Sequence, residues 1–549
     1  MKPKGPPISQ SSSNPSIARS TALMSTATTL SRVTGFVRMW ATGYALGVTA
    51  LASAYNVANN IPNMIFEFVA GGILSSLFIP TFLELRNERG EEDAYRFASH
   101  VLNLAIVALG FVAVLGTVWP EPFIWTQTFR MSAEAAAHVR SQAEFLFRFF
   151  AIQVVAYGAG MVVQGLLNAQ RRYLWTALGP VFNNFVVIAT MLAYPTIYRS
   201  NPQTALIVLA AGTTLGVLTM FAVMVPDLMK SGVRYHFEFG LSDPAVRKML
   251  KLALPTVIYV VTNLVAVSFR NASALAVSGE GPSTLMYAWT FFQLPYGILA
   301  VALATAVFTE LSDAAGRKDM VALKEQFRRG LRSTAVLMIP ASALLIALAQ
   351  PLISLYRAGA FRAEDVAPVA TALRTWSAGL VFFACMMFTL RTFYSMKDTR
   401  TPMLANLALT PVQIGLYLLL PTGIAGWKGL GITGIPLADI TFYLLLFVTL
   451  ALLLRRRIGG YDLRGFASTA ARMLVASVAG GGVAWWLAGV LAPAAPGFGP
   501  ALMQVTAGGI AGLLVAFGGA KLLRVEELDI VTNLIARLGS RFSRGRTKG

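Results

Sequence analysis

Six arginines stand inside stretches that otherwise read as membrane-spanning: Arg32, Arg38, Arg148, Arg270, Arg374 and Arg391. A guanidinium at mid-bilayer costs roughly 3 to over 10 kcal/mol depending on the reference state, so it persists only where it faces a wet cavity or a partner. Acidic counterparts are fewer, with Glu67 and Asp439 the clear ones. An interior richer in cations than anions suits an anionic ligand. The planar donor fork of arginine can hold two oxygens of a phosphate or pyrophosphate at once. Arg32, Arg38 and Arg270 lie deepest and form the candidate pyrophosphate clamp. Arg148, Arg374 and Arg391 sit nearer the ends of their runs, where snorkelling to headgroups is the plainer alternative to a cavity role. Glu67 divides between a structural ion pair and a gate or coupling residue, and Asp439 reads as a satisfied structural carboxylate. The segment Asn59-Asn60-Ile61-Pro62-Asn63 should break its run, because proline removes a ladder donor and frees a carbonyl. It offers Asn59, Asn60 and Asn63 as cavity or gate residues, with a simple kink as the alternative; Gly71-Gly72 follows closely.

The elements that must position these groups are helices in a bilayer. The chain has 549 residues, 56% of them hydrophobic and 13% charged, a balance no water-facing surface could hide. Apolar runs of about 20 residues recur with short polar breaks, the length a bilayer core requires. Fourteen runs are expected, near 22–48, 51–85, 97–119, 143–169, 174–196, 203–226, 252–277, 282–311, 333–356, 366–396, 402–423, 431–454, 468–492 and 501–523. Segments near 130–142 and 318–330 read as surface helices between spans. The formal charge of +20 is sorted by side. Only six basic residues fall in odd-numbered connections: Arg130, Arg140, Arg199, Arg357, Arg362 and Lys428. The even-numbered connections and both ends carry most of the rest, so they should face the cytoplasm. The basic balance therefore reads as topology and lipid contact, and not as a nucleic-acid footprint.

The first apolar run contains Arg32 and Arg38, which argues against a signal peptide. Residues 1–20, rich in Pro and Ser, read as a disordered lead. An internal repeat is visible in the polar residues. Arg38 and Pro62 recur as Arg270 and Pro295, and Arg148 and Arg171 recur as Arg374 and Lys397, at offsets of 226 to 233. Two six-span lobes of like orientation are expected, at 21–230 and 240–457, related by an axis along the membrane normal. Residues 465–524 add two spans, with Gly480-Gly481-Gly482 permitting close packing. Residues 525–549 read as a basic amphipathic tail on anionic lipid. A single cysteine, Cys385, excludes a disulfide framework. No phosphate-binding G-x-x-x-x-G-K-[ST] sequence occurs, the three histidines are scattered, and no segment outside the spans is long enough for a catalytic domain. No metal or cofactor is expected, and the chain reads as a carrier and not an enzyme.

Three blocks carry a family resemblance: Ser31-Arg32-Val33-Thr34-Gly35-Phe36-Val37-Arg38, Ala54-Tyr55-Asn56-Val57-Ala58-Asn59-Asn60-Ile61-Pro62-Asn63, and Gly72-Ile73-Leu74-Ser75-Ser76-Leu77-Phe78-Ile79-Pro80. With Leu294-Pro295-Tyr296-Gly297 and Phe393-Tyr394-Ser395-Met396-Lys397-Asp398-Thr399-Arg400-Thr401-Pro402, the chain resembles the MurJ/MviN lipid II flippases of the multidrug/oligosaccharidyl-lipid/polysaccharide exporter superfamily, from about residue 20 to 525. That resemblance implies a bacterial cytoplasmic-membrane protein with a central V-shaped cavity between two six-helix lobes. It implies a groove by the last two spans for the polyprenyl tail, and alternating access that carries the headgroup outward. Lipid II is the implied ligand, with membrane lipids and cell-wall synthesis proteins as candidate partners. The two span-1 arginines of the family carry over onto Arg32 and Arg38. Where other members have an arginine in span 2 the chain has Phe66 beside Glu67. Where they have an Asp-Arg pair and a Glu in span 8 it has Trp289, Thr290 and Gln293, and Ser53 replaces an early acidic residue. Arg270 is the expected substitute cation.

The resulting expectation is an all-α lipid II flippase driven by membrane potential or a monovalent ion. The rivals are export of another polyprenyl-pyrophosphate-linked saccharide, a multidrug antiporter, and a non-transporting membrane scaffold.

Overall fold

The computed structural model describes residues 15–67, 78–131, 133–424, 426–492 and 497–528. Everything regular among them is helical. In chain order these are α1 (Pro15–Leu46), α2 (Ala50–Glu67), α3 (Ile79–Arg89), α4 (Glu91–Val118), α5 (Glu121–Thr128), α6 (Ala133–Ala169), α7 (Leu174–Ser200), α8 (Pro202–Ala222), α9 (Val225–Met229) and α10 (Pro244–Val277). There follow α11 (Gly281–Pro295), a π-turn over Tyr296–Ala300, α12 (Val301–Gly316), α13 (Met320–Ala347), α14 (Ala349–Ser354), α15 (Ala363–Ala378), α16 (Leu380–Ser395), α17 (Arg400–Leu419), α18 (Gly434–Arg457), α19 (Leu463–Val490) and α20 (Phe498–Leu522).

Among the described residues eleven helices are long and apolar enough to cross a membrane, and α15 with α16, bent by 49°, make a twelfth span. Helices α1 and α2 occupy the first two expected positions. Three boundaries differ from expectation. The stretches near 130–142 and 318–330 are not separate surface helices; from 133 and from 320 onward they are the first turns of α6 and α13. No proline or exposed glycine interrupts either junction, and Gly330 is packed where a Cβ would lie 2.1 Å from the Phe388 ring. Helix α1 begins at Pro15, within the expected lead, with proline at a first-turn position that needs no donor. The break expected at Pro62 is absent, because α2 runs on to Glu67. Proline loses one ladder bond but its fixed φ is helical, so a helix can continue through it. The remainder of the lead, Gly71-Gly72 and most of the basic tail lie outside the described residues.

Two compact units divide the chain, and they cut across the two sequence halves. One holds residues up to Arg38, Val69–Val114 and Phe149–Lys251; the other holds Met39–Phe68, Leu115–Arg148 and everything from Leu252. In the first unit α6, α7 and α8 meet through small residues: Gly160 leaves room for Phe221, and Gly212 for Thr190. Buried Gln153 donates to Thr214 Oγ1 at 3.2 Å. The second unit is centred on aromatic packing, with Trp376 and Phe292 buried and Trp289 5.2 Å from Trp376, ring centre to ring centre. Helices α19 and α20 pack closely. A Cβ on Gly480 would sit 2.4 Å from the Gly512 carbonyl oxygen, so the first glycine of the run provides the contact expected of it.

Among the described residues four non-glycine residues have positive φ, and all are basic: Arg171, Lys318, Lys397 and Arg524. Each lies just past a helix end, and the next amide donates back five residues, as in Arg172 to Leu167 and Asp398 to Phe393. This is the Schellman arrangement, usually closed by glycine; here a cation faces the negative helix end. Arg171 and Lys397, two of the repeat landmarks, thus occupy the same turn in each half.

Candidate functional site

The candidate arginines are divided between the two units. Arg32 and Arg38 lie on α1 in the first; Arg148, Arg270, Arg374 and Arg391 lie in the second. Helix α1 is tied to α7 through Asn184, whose Nδ2 donates to Thr34 Oγ1 at 2.9 Å and to the Ser31 carbonyl at 3.3 Å. Six residues of helix separate Arg32 from Arg38 by about 9 Å of rise and about 120° of turn. The two therefore do not share one stripe. Arg32 is exposed on the side away from Asn184, and Arg38 is half-buried.

In the second unit one buried carboxylate joins three helices. Asp439 on α18 is 1% exposed. It accepts from Trp376 Nε1 at 2.9 Å, from Gln413 Nε2 at 3.2 Å and from the Tyr417 hydroxyl. Arg270 on α10 lies over the Trp289 ring, 6.0 Å from its centre, and is the cation whose charge reaches Asp439 and Tyr417. Its Nε is buried with no hydrogen-bond partner. Asp439 is a structural carboxylate with its donors in place, as its sequence context suggested. Arg270 is half-buried, facing an internal anion while part of its donor fork is unused.

The remaining candidates separate by surroundings. Arg148 is exposed and 3.9 Å from Glu121, a surface pair worth at most about 1 kcal/mol. Arg391 is half-buried on α16, near Tyr296. Asn59, Asn60 and Asn63 are half-buried along an unbroken α2. The Glu67 side chain lies outside the described residues. Arg374 lines an apolar groove of about 960 Å³ walled by α13, α15, α16, α18 and α19. Among the described residues it is the one charged group there, beside Ser342, Phe382, Cys385, Gly482 and Trp485. Helix α20 does not line this groove; it backs α19 on another side.

A further set escaped sequence reasoning. Within the second unit, residues from the first sequence half are sewn to the second half at the charge-poor connections. Arg130, following α5, donates to Ser273 Oγ (2.8 Å), Thr422 Oγ1 (3.1 Å) and the carbonyls of Tyr417 and Leu418 (both 3.3 Å). Gln127 donates to Ser268 Oγ at 3.0 Å and accepts from Asn271 at 2.7 Å. Gly47 and Gly359, both with φ near +60°, interlock: a Cβ on either would lie within 2.4 Å of backbone from the other strand of the seam. Ala360 N–H donates to the Tyr44 carbonyl at 2.9 Å, and Ser53 donates to Ser283 at 3.2 Å. The one available sequence signal was that Arg130 belongs to the sparse set of basic residues on that side.

The Asp398 block has a structural use. Asp398 accepts from the Thr401 amide (3.0 Å) and hydroxyl (2.6 Å) and from Arg457, fixing the start of α17. Burial pushes this carboxyl up, but the Thr401 bonds and the Arg457 charge outweigh it and hold it below the ordinary range.

Comparison with known proteins bears on how these features are used. The family profile described as lipid II flippase MurJ matches residues 42–503. The chain belongs to the MurJ family. Probable lipid II flippase MurJ of Rhizobium meliloti is 29% identical over 442 residues, covering 79% of this chain and 81% of the relative. The Thermotoga maritima relative of the same description is 28% identical, covering 79% and 85%. Among solved structures, a lipid II flippase MurJ in an inward closed conformation superposes with a TM-score of 0.73 at 22% identity, covering 91% of this chain and 98% of the other. An inward-facing multidrug MATE transporter of the MOP superfamily superposes at 0.64 with 17% identity, covering 79% and 94%. The MurJ fold is thus shared with multidrug exporters, and the all-α polytopic architecture expected from the sequence stands.

Proposed function

We propose that this MurJ-family chain carries lipid II across the bacterial cytoplasmic membrane by alternating access, from the cytoplasmic to the outer leaflet, and catalyses no bond chemistry. Membrane potential or a monovalent ion is the proposed driving force. The observation that carries the reading is the match to the lipid II flippase family over residues 42–503. Both termini and the even-numbered connections face the cytoplasm in this reading, following the basic residues. Arg32 and Arg38 on the first unit are the proposed pyrophosphate ligands, where a planar fork gains most, and Arg270 on the second is the proposed substitute cation. The groove beside Arg374, walled by α19, takes the polyprenyl tail. The Arg130 seam closes the outer side and must part for release.

A second reading, a flippase for a different polyprenyl-pyrophosphate-linked saccharide, is favoured by Phe66, Trp289, Thr290 and Gln293, which replace charged residues of the family pattern. Rescue of cells depleted of their own lipid II flippase separates the two. Growth with the intact chain and lysis with Arg38→Ala at matched membrane levels supports the lipid II reading; lysis with both moves the substrate to another lipid-linked saccharide.

A further inference from the structure

The connection between the two six-span halves is held in register along α4. From Tyr235 to Gly240 it forms no helix, and its contacts alternate between two edges. The inner edge is fixed. The His236 amide donates to Ser99 Oγ at 3.0 Å. Asn103 Nδ2 donates to the carbonyls of His236 (3.1 Å) and Glu238 (2.9 Å) and its Oδ1 accepts from Tyr235. His100 lies 3.0 Å from Asp243 and 3.3 Å from Glu238, and a Cβ on Gly240 would fall 2.2 Å from the His100 ring. The outer edge is bare: Phe237, Phe239 and Leu241 are 77%, 56% and 60% exposed, with the two phenyl rings 5.5 Å apart, edge to face.

Depth along α4 says what covers that edge. From Asn103 to the helix end at Val118 is about 22 Å of rise, and hydrocarbon is about 30 Å thick. Val107, Phe111, Val114 and Val118 are exposed along this stretch, while polar and charged side chains begin at His100 and Arg96 toward the other end. The bare edge therefore lies level with the border between hydrocarbon and headgroups, continuous with the lipid-facing side of α4. Basic residues flank it: Lys230 and Arg234 before, Arg247, Lys248 and Lys251 after. Arg234 is paired with Glu92 and Lys248 with Glu84, while Lys230 and Lys251 are exposed.

We propose that residues 235–241 form an interfacial strap that docks the inter-half connection on an anionic bilayer surface. Phe237, Phe239 and Leu241 seat among the upper acyl chains, and the five flanking cations take anionic phospholipid headgroups. This rests on the reading of the chain as membrane-spanning and is independent of which lipid-linked substrate it carries.

The test uses the full chain with Cys385→Ala in nanodiscs of phosphatidylglycerol or phosphatidylcholine. Spin labels are placed on Phe237→Cys or Phe239→Cys, with Lys318→Cys as the control. Collision rates with oxygen and with a water-soluble nickel chelate report depth. The strap predicts oxygen-dominated collisions at 237 and 239, several-fold above the control ratio and greater in phosphatidylglycerol. Chelate-dominated collisions at both positions overturn it, as does shielding from both reagents, which would mean that protein covers the edge. Replacing the five cations by glutamine should abolish the difference between the two lipids; a difference that persists overturns the headgroup contacts.

Discussion

Arg130→Ala is the perturbation most directly set by the geometry. The guanidinium makes four hydrogen bonds at 2.8 to 3.3 Å, two of them to carbonyls at the end of α17. A charged hydrogen bond is worth about 1.5–3 kcal/mol when buried, and a cation at a helix C-terminus adds about 0.3–1 kcal/mol. Two of the four bonds are long, and Arg130 is only part-buried, so about 2–4 kcal/mol is a reasonable total. If the seam exists in one state of the cycle and is absent in the other, losing that amount shifts the equilibrium roughly 30- to 700-fold toward the opened state. The assay is labelling of Ser53→Cys by a membrane-impermeant maleimide in a Cys385→Ala background. Ser53 is wholly buried and donates to Ser283 across the same seam. Labelling should be at least tenfold faster in Arg130→Ala, with Arg130→Lys between the two. Unchanged labelling in a variant that keeps its thermal midpoint would refute the seam as a gate.

Asp439→Ala should lower stability by about 3–5 kcal/mol, since it strands three donors and leaves Arg270 uncompensated; a thermal midpoint within a degree of the intact chain would show that the network is dispensable. Gly480→Leu and Gly482→Leu should part company. The first forces α19 off α20 and should cost about 1–3 kcal/mol, whereas a Cβ at Gly482 meets nothing within 4 Å and opens on the groove. Gly482→Leu should therefore keep its thermal midpoint and lose transport, and normal transport there would remove the groove as the tail site. Asp398, held below the ordinary carboxylate range, contributes stability above its unfolded value of about 3.9 that is lost as pH falls through its lower folded value. Asp398→Asn should flatten the dependence of thermal midpoint on pH between about 5 and 3, and an unaltered slope would place the acid sensitivity elsewhere.

The residues differ in how far the sequence revealed them. Helix existence was legible because a bilayer demands long apolar runs, and Asp439 was legible because a lone carboxylate in such a run must be satisfied. Arg171 and Lys397 stood 226 positions apart as sequence landmarks before their shared turn was visible. The Gly480 contact followed from small residues on a helix face. What stayed hidden depends on pairing over long separations. Arg130 reaches Thr422 across 292 positions and Ser273 across 143, and no local pattern marks a loop arginine as a four-way donor. The proline at 62 misled because its cost to one ladder bond is certain, while the helix that absorbs the cost depends on packing. The exposed edge at Phe237 and Phe239 was equally hidden: two aromatics in a short connection say nothing about depth until α4 is alongside.

The central claim is tested most directly with the purified chain in vesicles carrying headgroup-labelled lipid II, with a membrane-impermeant quencher added outside under an imposed potential. The fraction protected on the inner leaflet should become accessible in vesicles containing the intact chain, and Arg32→Ala and Arg38→Ala should each slow this by tenfold or more. Accessibility no faster than in protein-free vesicles, under either sign of potential, would contradict it.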